Sequence, residues 1–313
     1  MDWRPSASLE NLRKRAIIMQ SMRAFFEKRS YLEIETPILS HYGVTDLQLL
    51  PLKTNCFKKT CYLHTSPEYA MKRLLAAGSG SIFQFAKVFR DEEKGRWHNP
   101  EFTLLEWYKL GACHHELMAE VDIFLQEIIK TKPVVKRSYE EVFQTYCNLN
   151  PHTATLQELK KSLSYYNLDN VLADQDDKDT HLYLLMSHVV EPNLAKQPFP
   201  TAVYDFPVTQ AALARIINGR AARFEIYYRG VELLNGFYEL SDKEEQAQRF
   251  QAEQAKRILK GLDVSVVDEL FLAALEYGLP KCSGVAVGVD RLIALALSQD
   301  SLKKVMAFTF ENV

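Results

Sequence analysis

Apolar positions near the start of the chain recur with helical spacing. Leu12, Ala16, Met19 and Met22 lie three or four residues apart, which places their side chains on one face of an α-helix. We therefore predict an amphipathic helix over residues 9–29. The stretch YLEIETPIL that follows predicts a strand ended by its proline, because proline has no N–H to donate to a sheet.

Two aromatic-rich apolar stretches, residues 82–90 and 102–110, flank the polar segment DEEKGRWHNPE. This pattern predicts two antiparallel strands with a long connection. Many of the charged side chains of this region fall in the connection or at the strand ends. Burial of unpaired charge is costly, so we expect the cluster to be solvated or to be neutralised by a bound ligand.

The remaining pattern alternates between strand and helix signals. Strands are indicated at TAVYDFP, RFEIYYRGVELLNGFYEL and SGVAVGV, and helices at SPEYAMKRLLAAG and over residues 116–130, 242–259 and 266–277. Residues 138–179, with short helical patterns and the acidic run DQDDKD, are predicted to form a surface insertion. Antiparallel-looking strands flanked by helices indicate an α+β fold.

Composition narrows the functional classes. The 313 residues carry a formal net charge of -2, with 47% hydrophobic and 25% charged residues. The chain thus lacks the basic excess of a protein whose main task is to grip a nucleic-acid backbone. It has neither a signal peptide nor a run of about eighteen apolar residues, so we expect a cytoplasmic location without membrane attachment.

The cysteine and histidine patterns argue against disulfide and zinc frameworks. The five cysteines are irregularly spaced, without a CxxC pair, and are predicted to be reduced thiols. The adjacent His114 and His115 have no third ligand at a useful spacing in the sequence. No zinc site is therefore predicted at these histidines.

Side chains, not a glycine-rich loop, would have to hold any bound nucleotide. Neither GxGxxG nor GxxxxGK[ST] occurs. Arg90 and Glu92 lie two residues apart and would point to the same face of a strand. Arginine binds phosphate oxygens with two parallel hydrogen bonds and stacks on flat rings. The alternative interpretation of this pair is an ordinary ion pair on the surface.

Three glutamates recur every seven residues in RFEIYYRGVELLNGFYEL: Glu225, Glu232 and Glu239. Two strands joined near Arg229 and Gly230 would bring the first two glutamates opposite one another. Facing carboxylates bind a hard divalent cation such as Mg²⁺, which bridges nucleotide phosphates. The alternative is the solvated face of a hairpin.

Small residues alternate along GVAVGVDR. They would let a ligand lie against the backbone of a strand, and Arg291 would begin the helix that follows. The alternative is close packing of a strand against a helix. The joint occurrence of this motif, the Arg90 segment and the glutamate segment in one chain favours a shared nucleotide site.

These motifs resemble the signatures of class II aminoacyl-tRNA synthetases, over nearly the whole chain. YLEIETPIL with Pro37 is similar to the first signature, FRDEE…HNPEFTLLEWY to the second and GVAVGVDR to the third, while TSPEYAMKRLL and ELLNGFYEL resemble lysyl-tRNA synthetase. Two departures stand out. No N-terminal anticodon-binding OB domain is expected, and Ala286 replaces the middle glycine of GxGxGxDR.

The resemblance extends to the truncated, lysine-ligating branch of this family. It implies one class II catalytic domain over residues 1–313, with a mostly antiparallel sheet flanked by helices. The implied activity is ATP-dependent formation of an aminoacyl-adenylate from lysine, with (R)-β-lysine favoured, and its transfer to a lysine side chain of elongation factor P. The alternatives are a tRNA-charging enzyme and a non-catalytic sensor of lysine or nucleotide. Mg²⁺, a homodimer formed through the Pro37 signature and the absence of stable nucleic-acid binding are also implied.

The resemblance also implies roles for individual residues. Arg90 and Arg291 would be catalytic, by neutralising charge on the phosphates. The residues implied for ATP binding are Arg90, Glu92, Asn99, Phe102, Glu232, Leu233, Gly288 and Arg291. Those implied for the amino-acid substrate are Ser66, Glu68, Glu106, Tyr108, Asn235, Glu239 and Ala286. Glu225 and Glu232 would hold Mg²⁺.

Overall fold

A central sheet with helices against it organises the protein, which a computed structural model describes over residues 3–91, 94–168 and 177–313. The strands are β1 Leu32–Glu33, β2 Leu39–Ser40, β3 Lys53–Cys56, β4 Lys59–Leu63, β5 Ile82–Phe89, β6 Glu101–Leu110, β7 Val135–Ser138, β8 Thr201–Phe206, β9 Ile216–Ile217, β10 Arg220–Tyr228, β11 Val231–Tyr238 and β12 Cys282–Gly288. The α-helices are α1 Leu9–Glu27, α2 Glu68–Ala76, α3 His114–Ile129, α4 Tyr139–Cys147, α5 Leu156–Tyr165, α6 Lys178–Leu185, α7 Glu191–Leu194, α8 Lys243–Leu259, α9 Glu269–Gly278 and α10 Val289–Ala296.

The main sheet has the strand order β1-β5-β6-β12-β11-β10-β8-β7, and β9 pairs with β10. The pairings from β5 to β8 are antiparallel, and only the outermost pairs, β1 with β5 and β7 with β8, are parallel among the described residues. Strands β2, β4 and β3 form a smaller sheet. The predicted α+β fold with a mostly antiparallel sheet is confirmed.

The two faces of the main sheet differ in polarity because successive side chains of a strand point to opposite faces. Leu105 and Trp107 of β6, with Val285 and Val287 of β12, belong to the largest apolar cluster, which also contains side chains of α1, α3 and α10. The alternate positions, such as Glu106, face the other way. The polar face is open around Glu106, whereas α2 and α9 pack on one end of it through Ile82, Tyr108 and Cys282.

Local sequence signals explain where several helices begin. The hydroxyl of Ser8 accepts a hydrogen bond from the N–H of Asn11 at the start of α1, as an N-cap residue does. The apolar face of α1 then buries Met22, Phe25 and Phe26. None of the helices in the described part of the chain combines the length and the apolar composition that a bilayer crossing requires.

Two predicted elements differ from the structure. The strand predicted for YLEIETPIL is wrong over most of its length: the chain pairs with β5 only at β1 and then joins the smaller sheet at β2. Pro37 lies between the two pieces, where its missing donor costs no sheet hydrogen bond. The range 138–179 contains α4 and α5, whose apolar faces pack with β8 and β10 in a second core cluster. Residues 169–176 of this range lie outside the described residues.

Candidate active site

A cleft of about 1120 Å³ opens on the polar face of the main sheet. The predicted site residues that line it are Ser66, Glu68, Arg90, Asn99, Phe102, Glu106, Tyr108, Glu225, Glu232, Leu233, Asn235, Glu239, Ala286, Gly288 and Arg291. Glu92, the remaining predicted residue, lies outside the described residues. Segments separated by up to 225 positions in the chain thus meet in one cavity.

Strand periodicity places these side chains on a common face. Ala286 of β12 pairs with Glu106 of β6 on one side and with Asn235 of β11 on the other. Directly paired residues point to the same face of a sheet. The floor of the cleft therefore runs across three neighbouring strands, with a small side chain at its centre.

The hairpin of β10 and β11 sets the position of the glutamates. Arg229 and Gly230 have φ angles of 52° and 77°, the left-handed geometry that a two-residue hairpin turn requires, so the predicted join is confirmed. The expectation that Glu225 lies opposite Glu232 is wrong. Glu232 pairs with Tyr227, because this turn fixes the register.

A β-bulge in this hairpin determines which β11 residues reach the cleft. Glu225 pairs with Asn235, with a register shift between Ile226 and Tyr227. Leu233 has no partner in this register, and the extra residue reverses the faces beyond it. Asn235 and Glu239 consequently share the cleft face with Glu232 despite their odd spacing from it.

One end of the cleft is a network around the buried carboxyl group of Glu106. The Ser66 hydroxyl donates to one oxygen of Glu106 at 2.6 Å, and the Tyr108 hydroxyl donates to the other at 3.3 Å. Burial, followed by the nearby charge of Glu68, raises the pKa of Glu106 to about 8. Glu106 is therefore mostly protonated near neutral pH until a cation approaches it.

Lys72 is a charged residue of this end that the sequence analysis missed. Its ammonium lies 2.6 Å from Glu68 and 2.5 Å from Glu239, and its side chain is 1% exposed. Burial alone would lower the pKa of Lys72, but the charges of Glu239 and Glu68 outweigh burial and raise it. The spacing of Glu68 and Lys72, four residues apart on α2, was the signal available in the sequence.

The carboxyl group of Glu239 is partly protonated near neutral pH. Burial raises its pKa to about 7, although the neighbouring ammonium of Lys72 acts in the opposite direction. The Lys72 ammonium thus contacts the carboxyl groups of Glu68 and Glu239, and Glu106 lies nearby. This end of the cleft has the electrostatic character to accept a second, incoming cation.

Gly284 allows the backbone of β12 to approach this network closely. A Cβ atom at this position would lie 2.3 Å from the Tyr108 ring and 2.5 Å from a carboxylate oxygen of Glu239. Both distances are too short for real atoms, so any larger residue would displace two side chains of the cleft. Gly284 is thus a position in GVAVGVDR at which a small residue is required.

The other end of the cleft is basic, and the structure holds Arg291 firmly there. Its guanidinium group donates to the carbonyl oxygens of Trp97 at 3.1 Å and Glu232 at 3.0 Å, and one nitrogen lies 2.7 Å from Nε2 of His98. The preceding residue, Asp290, accepts a hydrogen bond from the N–H of Thr103 at 2.7 Å. The start of α10 is thereby fixed to β6, and Arg291 is oriented before any ligand binds.

Arg90 and Asn99 lie at the same end with different surroundings. The guanidinium carbon of Arg90 lies 5.1 Å from the ring centre of Phe102, within the range of a cation–π contact. The amide of Asn99 donates to the carbonyl of Glu101 at 2.6 Å and accepts from the N–H of Phe310 at 2.9 Å. In this arrangement Asn99 ties the connection between β5 and β6 to the C-terminal segment.

Glu225 and Glu232 both line the cleft and are the carboxylates predicted to bind a divalent cation. Burial, followed by the charge of Glu225, raises the pKa of Glu232 to about 7. Glu225 accepts hydrogen bonds from Arg223 and Tyr227, two partners that the sequence analysis missed. A divalent cation would favour the ionised form of both carboxyl groups, and oxygen ligands of this kind suit Mg²⁺.

Glu191 is a further acidic neighbour, which the sequence gave no reason to select. Burial and then the charges of Glu232 and Glu225 raise its pKa to about 7. It comes from the short helix α7, and Ala195 just after that helix lies against the hairpin turn at Gly230. Three acidic side chains thus lie close together here, and nearby arginines offset part of their charge.

Comparison with known proteins agrees with this geometry. The family model of class II tRNA synthetases (D, K and N) matches residues 1–312. Three similar proteins are named elongation factor P–(R)-β-lysine ligase. Those of Pasteurella multocida, Salmonella gallinarum and Vibrio cholerae are 49%, 47% and 47% identical, each alignment covering 99% of this chain and 98% of the relative. The chain therefore belongs to the class II tRNA synthetase family and, within it, to the group of elongation factor P–(R)-β-lysine ligases.

Proposed function

We propose that the protein is an ATP-dependent ligase. It activates lysine, with (R)-β-lysine the favoured isomer, as an aminoacyl-adenylate and transfers the acyl group to a lysine side chain of elongation factor P. The observation that carries the proposal is one cleft with Arg90 and Arg291 at its basic end and Glu106 and Glu239 at its acidic end. Such a cleft accommodates a polyphosphate and a cationic amino acid side by side.

In the first step, a carboxylate oxygen of the amino acid attacks the α-phosphorus of ATP, and pyrophosphate leaves. Two like-charged groups must be brought together, so alignment and neutralisation of charge dominate catalysis. Arg90 is proposed to contact the α-phosphate. Phe102 and Arg291 are proposed to hold the adenine ring between them, a role that suits the flat guanidinium group.

Glu225 and Glu232 are proposed to hold Mg²⁺ in the ATP complex. The ion supplies neutralisation of the phosphate charge. The chain contributes the orientation of these carboxylates, since Arg223 and Tyr227 bond to Glu225 and the hairpin register positions Glu232. The Glu232 carbonyl also accepts from Arg291, which links the metal ligands to the guanidinium group over the nucleotide.

The acidic end is proposed to bind the ammonium groups of the substrate. Glu239 and Tyr108 would receive the distal ammonium. Ser66, Glu68, Glu106 and Asn235 would surround the amino and carboxylate end. Ionisation of Glu106, whose pKa is about 8, becomes favourable when an ammonium group lies beside it. An uncharged side chain would leave buried carboxylates unpaired, which discriminates strongly against it.

Further proposals concern organisation. Residues 1–313 are proposed to form one catalytic domain, because the main sheet draws strands from Leu32 to Gly288.

A homodimer through the Pro37 region is supported by apolar side chains exposed there, at Leu32, Ile38 and Leu39. Stable nucleic-acid binding is not proposed, in keeping with the net charge of -2. A cytoplasmic location would suit an enzyme that modifies a translation factor.

The decisive experiment separates activation from transfer. The protein is incubated with ATP, Mg²⁺ and either lysine or (R)-β-lysine, and pyrophosphate exchange is measured. Elongation factor P and tRNA are then offered separately with labelled amino acid. We expect exchange and label on elongation factor P alone, and both should be lost in Arg291→Ala. Transfer to tRNA alone would establish the charging enzyme, and no exchange with either isomer would favour a sensor.

A further inference from the structure

Two adjacent histidines and an aspartate meet outside the cleft. His114 and His115 are the first residues of α3, and Asp205 lies near the end of β8. The His114 ring stacks on Tyr238 with centroids 6.5 Å apart. Phe237 and Glu239, the neighbours of Tyr238, line the cleft, so strand alternation directs Tyr238 to the opposite face. The cluster is therefore separated from the proposed active site by the sheet.

The distances within the cluster match a metal ligand set. One ligand atom from each of the three residues lies within 4.8 Å of the others, and Nε2 of His114 is 3.5 Å from Oδ1 of Asp205. Two ligand atoms bound to one tetrahedral zinc ion are about 3.3 Å apart, given bond lengths of about 2.0 Å. Binding of one ion would draw the three ligand atoms closer together than they are in this structure.

A separate observation is that the His114 ring makes no hydrogen bond with any described residue, although Nε2 lies 3.5 Å from Asp205. Its side chain is only 6% exposed, yet within residues 3–91, 94–168 and 177–313 neither of its ring nitrogens makes a hydrogen bond. A buried polar group without a partner loses its interaction with water and gains nothing in return. A ligand at Nε2 would satisfy one of these nitrogens, and it is Nε2 that lies nearest Asp205.

The backbone at Asp205 is also unusual. Its φ angle is 61°, in the left-handed region, and the pairing of β8 with β10 shifts register at this point, between Ala221 and Phe224. Aspartate and asparagine tolerate this conformation better than most residues. Strained residues of this kind often occur where a side chain must be aimed, and here the carboxylate points at His114.

Charges around the cluster act in both directions. The N-terminus of α3 and the ammonium of Lys136 disfavour a cation, whereas the carboxylate of Asp205 favours one.

We propose that His114, His115 and Asp205 bind one divalent transition-metal ion, with Zn²⁺ the best match to two imidazoles and one carboxylate. The ion would connect the first turn of α3 to β8 and leave a coordination position open to water. Sequence spacing could not show this site, because 90 positions separate His115 from Asp205. The sequence analysis predicted no third ligand for the two histidines. In this proposal Asp205 is that third ligand.

The test uses the full chain, stripped of metal and kept in excess Mg²⁺ so that hard oxygen sites are filled. Zn²⁺ binding is measured by calorimetry, and Co²⁺ binding by its visible absorption. The variants are His115→Ala, which alters an exposed side chain, and Asp205→Asn, which tolerates the same backbone. His188→Ala is the matched control, since it removes an exposed histidine from another part of the chain.

We expect one Zn²⁺ per wild-type chain and a visible Co²⁺ spectrum typical of nitrogen and oxygen ligands. Each cluster variant should weaken Zn²⁺ binding at least about tenfold and lose the Co²⁺ bands, while the control binds like wild type. Zn²⁺ should also raise the melting temperature of wild type but not of Asp205→Asn. Unchanged binding in both cluster variants, or no stoichiometric binding by wild type, would overturn the proposal.

Discussion

The ammonium of Lys72 lies 2.5 Å from the carboxylate of Glu239, and both side chains are 1% exposed. An ion pair so fully removed from water is sensitive to the loss of either partner, because the remaining charge keeps its desolvation cost. Lys72 also pairs with Glu68 at 2.6 Å. The lysine therefore sets the charge of the acidic end before any substrate arrives.

Replacement of Lys72 should destabilise the folded protein strongly. In Lys72→Met the apolar stem is kept, but Glu68 and Glu239 lose their cation. We expect the free energy of unfolding at pH 7.5 to fall by about 3–5 kcal/mol, measured by urea denaturation without ligands. Binding of lysine should also change, because the altered pocket is more negative.

Lys14→Met is the matched control for this prediction. Lys14 pairs with Glu10, also four residues away on a helix and also at 2.6 Å, but both side chains are at least half exposed. Exposed pairs contribute little to stability, so the control should unfold at nearly the same urea concentration as wild type. Equal effects of the two replacements would contradict the buried role of Lys72.

The pKa values of the cleft carboxyl groups predict a pH-dependent stability. Glu239 and Glu232 have pKa values of about 7 and Glu106 of about 8, all raised from 4.5. Between pH 5 and 8 the folded state therefore binds more protons than the unfolded state does. Stability without ligands should fall as pH rises through this window, which urea denaturation at several pH values would show.

The replacement Glu106→Gln tests whether Glu106 contributes to the fall in stability with rising pH. Glu106→Gln removes one carboxyl group but can still accept from Ser66, so we expect a shallower loss of stability between pH 6 and 8. Each unit of pKa shift corresponds to about 1.4 kcal/mol. Glu127→Gln, which changes a half-exposed carboxylate at the surface, should keep the wild-type slope. An unaltered slope in Glu106→Gln would mean that another group dominates the titration.

The sequence predicted the convergence of Arg90, Glu232 and Arg291 because each belongs to a motif of a specific family. It did not predict Lys72, because an i, i+4 pair of opposite charge on a helix is usually exposed. Burial of that pair depends on tertiary contacts of α2, such as those of Met71 and Leu75 with α9. Such contacts are not visible in local spacing.

Strand register was also beyond local reasoning. The sequence indicated the turn at Arg229 and Gly230 correctly, but not the bulge that follows it in β11. Without the bulge, Asn235 would face the helices instead of the cleft, since one residue reverses every later side chain. Similarly, the proposed metal site joins residues of α3 and β8, which only the folded sheet brings together.

A conservative replacement of Arg291, at the proposed nucleotide end of the cleft, should strongly reduce pyrophosphate exchange. Arg291→Lys keeps the charge but cannot reproduce contacts to Trp97, Glu232 and His98 at once. We expect kcat/KM for ATP in pyrophosphate exchange to fall about 10²–10³-fold. Arg220→Lys, which changes an arginine paired with Glu140 away from the cleft, should leave the rate near wild type. Comparable losses in both variants would point to a general effect on folding.

Removal of the Ala286 methyl group should change the preference between lysine and (R)-β-lysine. It lies between Glu106 and Asn235 on the floor of the cleft, where the amino end of the substrate is proposed to bind. Ala286→Gly would make room for an amino group on the α-carbon, so the ratio of kcat/KM for lysine over (R)-β-lysine in pyrophosphate exchange should rise about tenfold, within the range expected of one methyl group. Gly284→Ala should instead impair both isomers, because its Cβ would collide with Tyr108 and Glu239. An unchanged ratio in Ala286→Gly would show that this methyl group does not select the isomer.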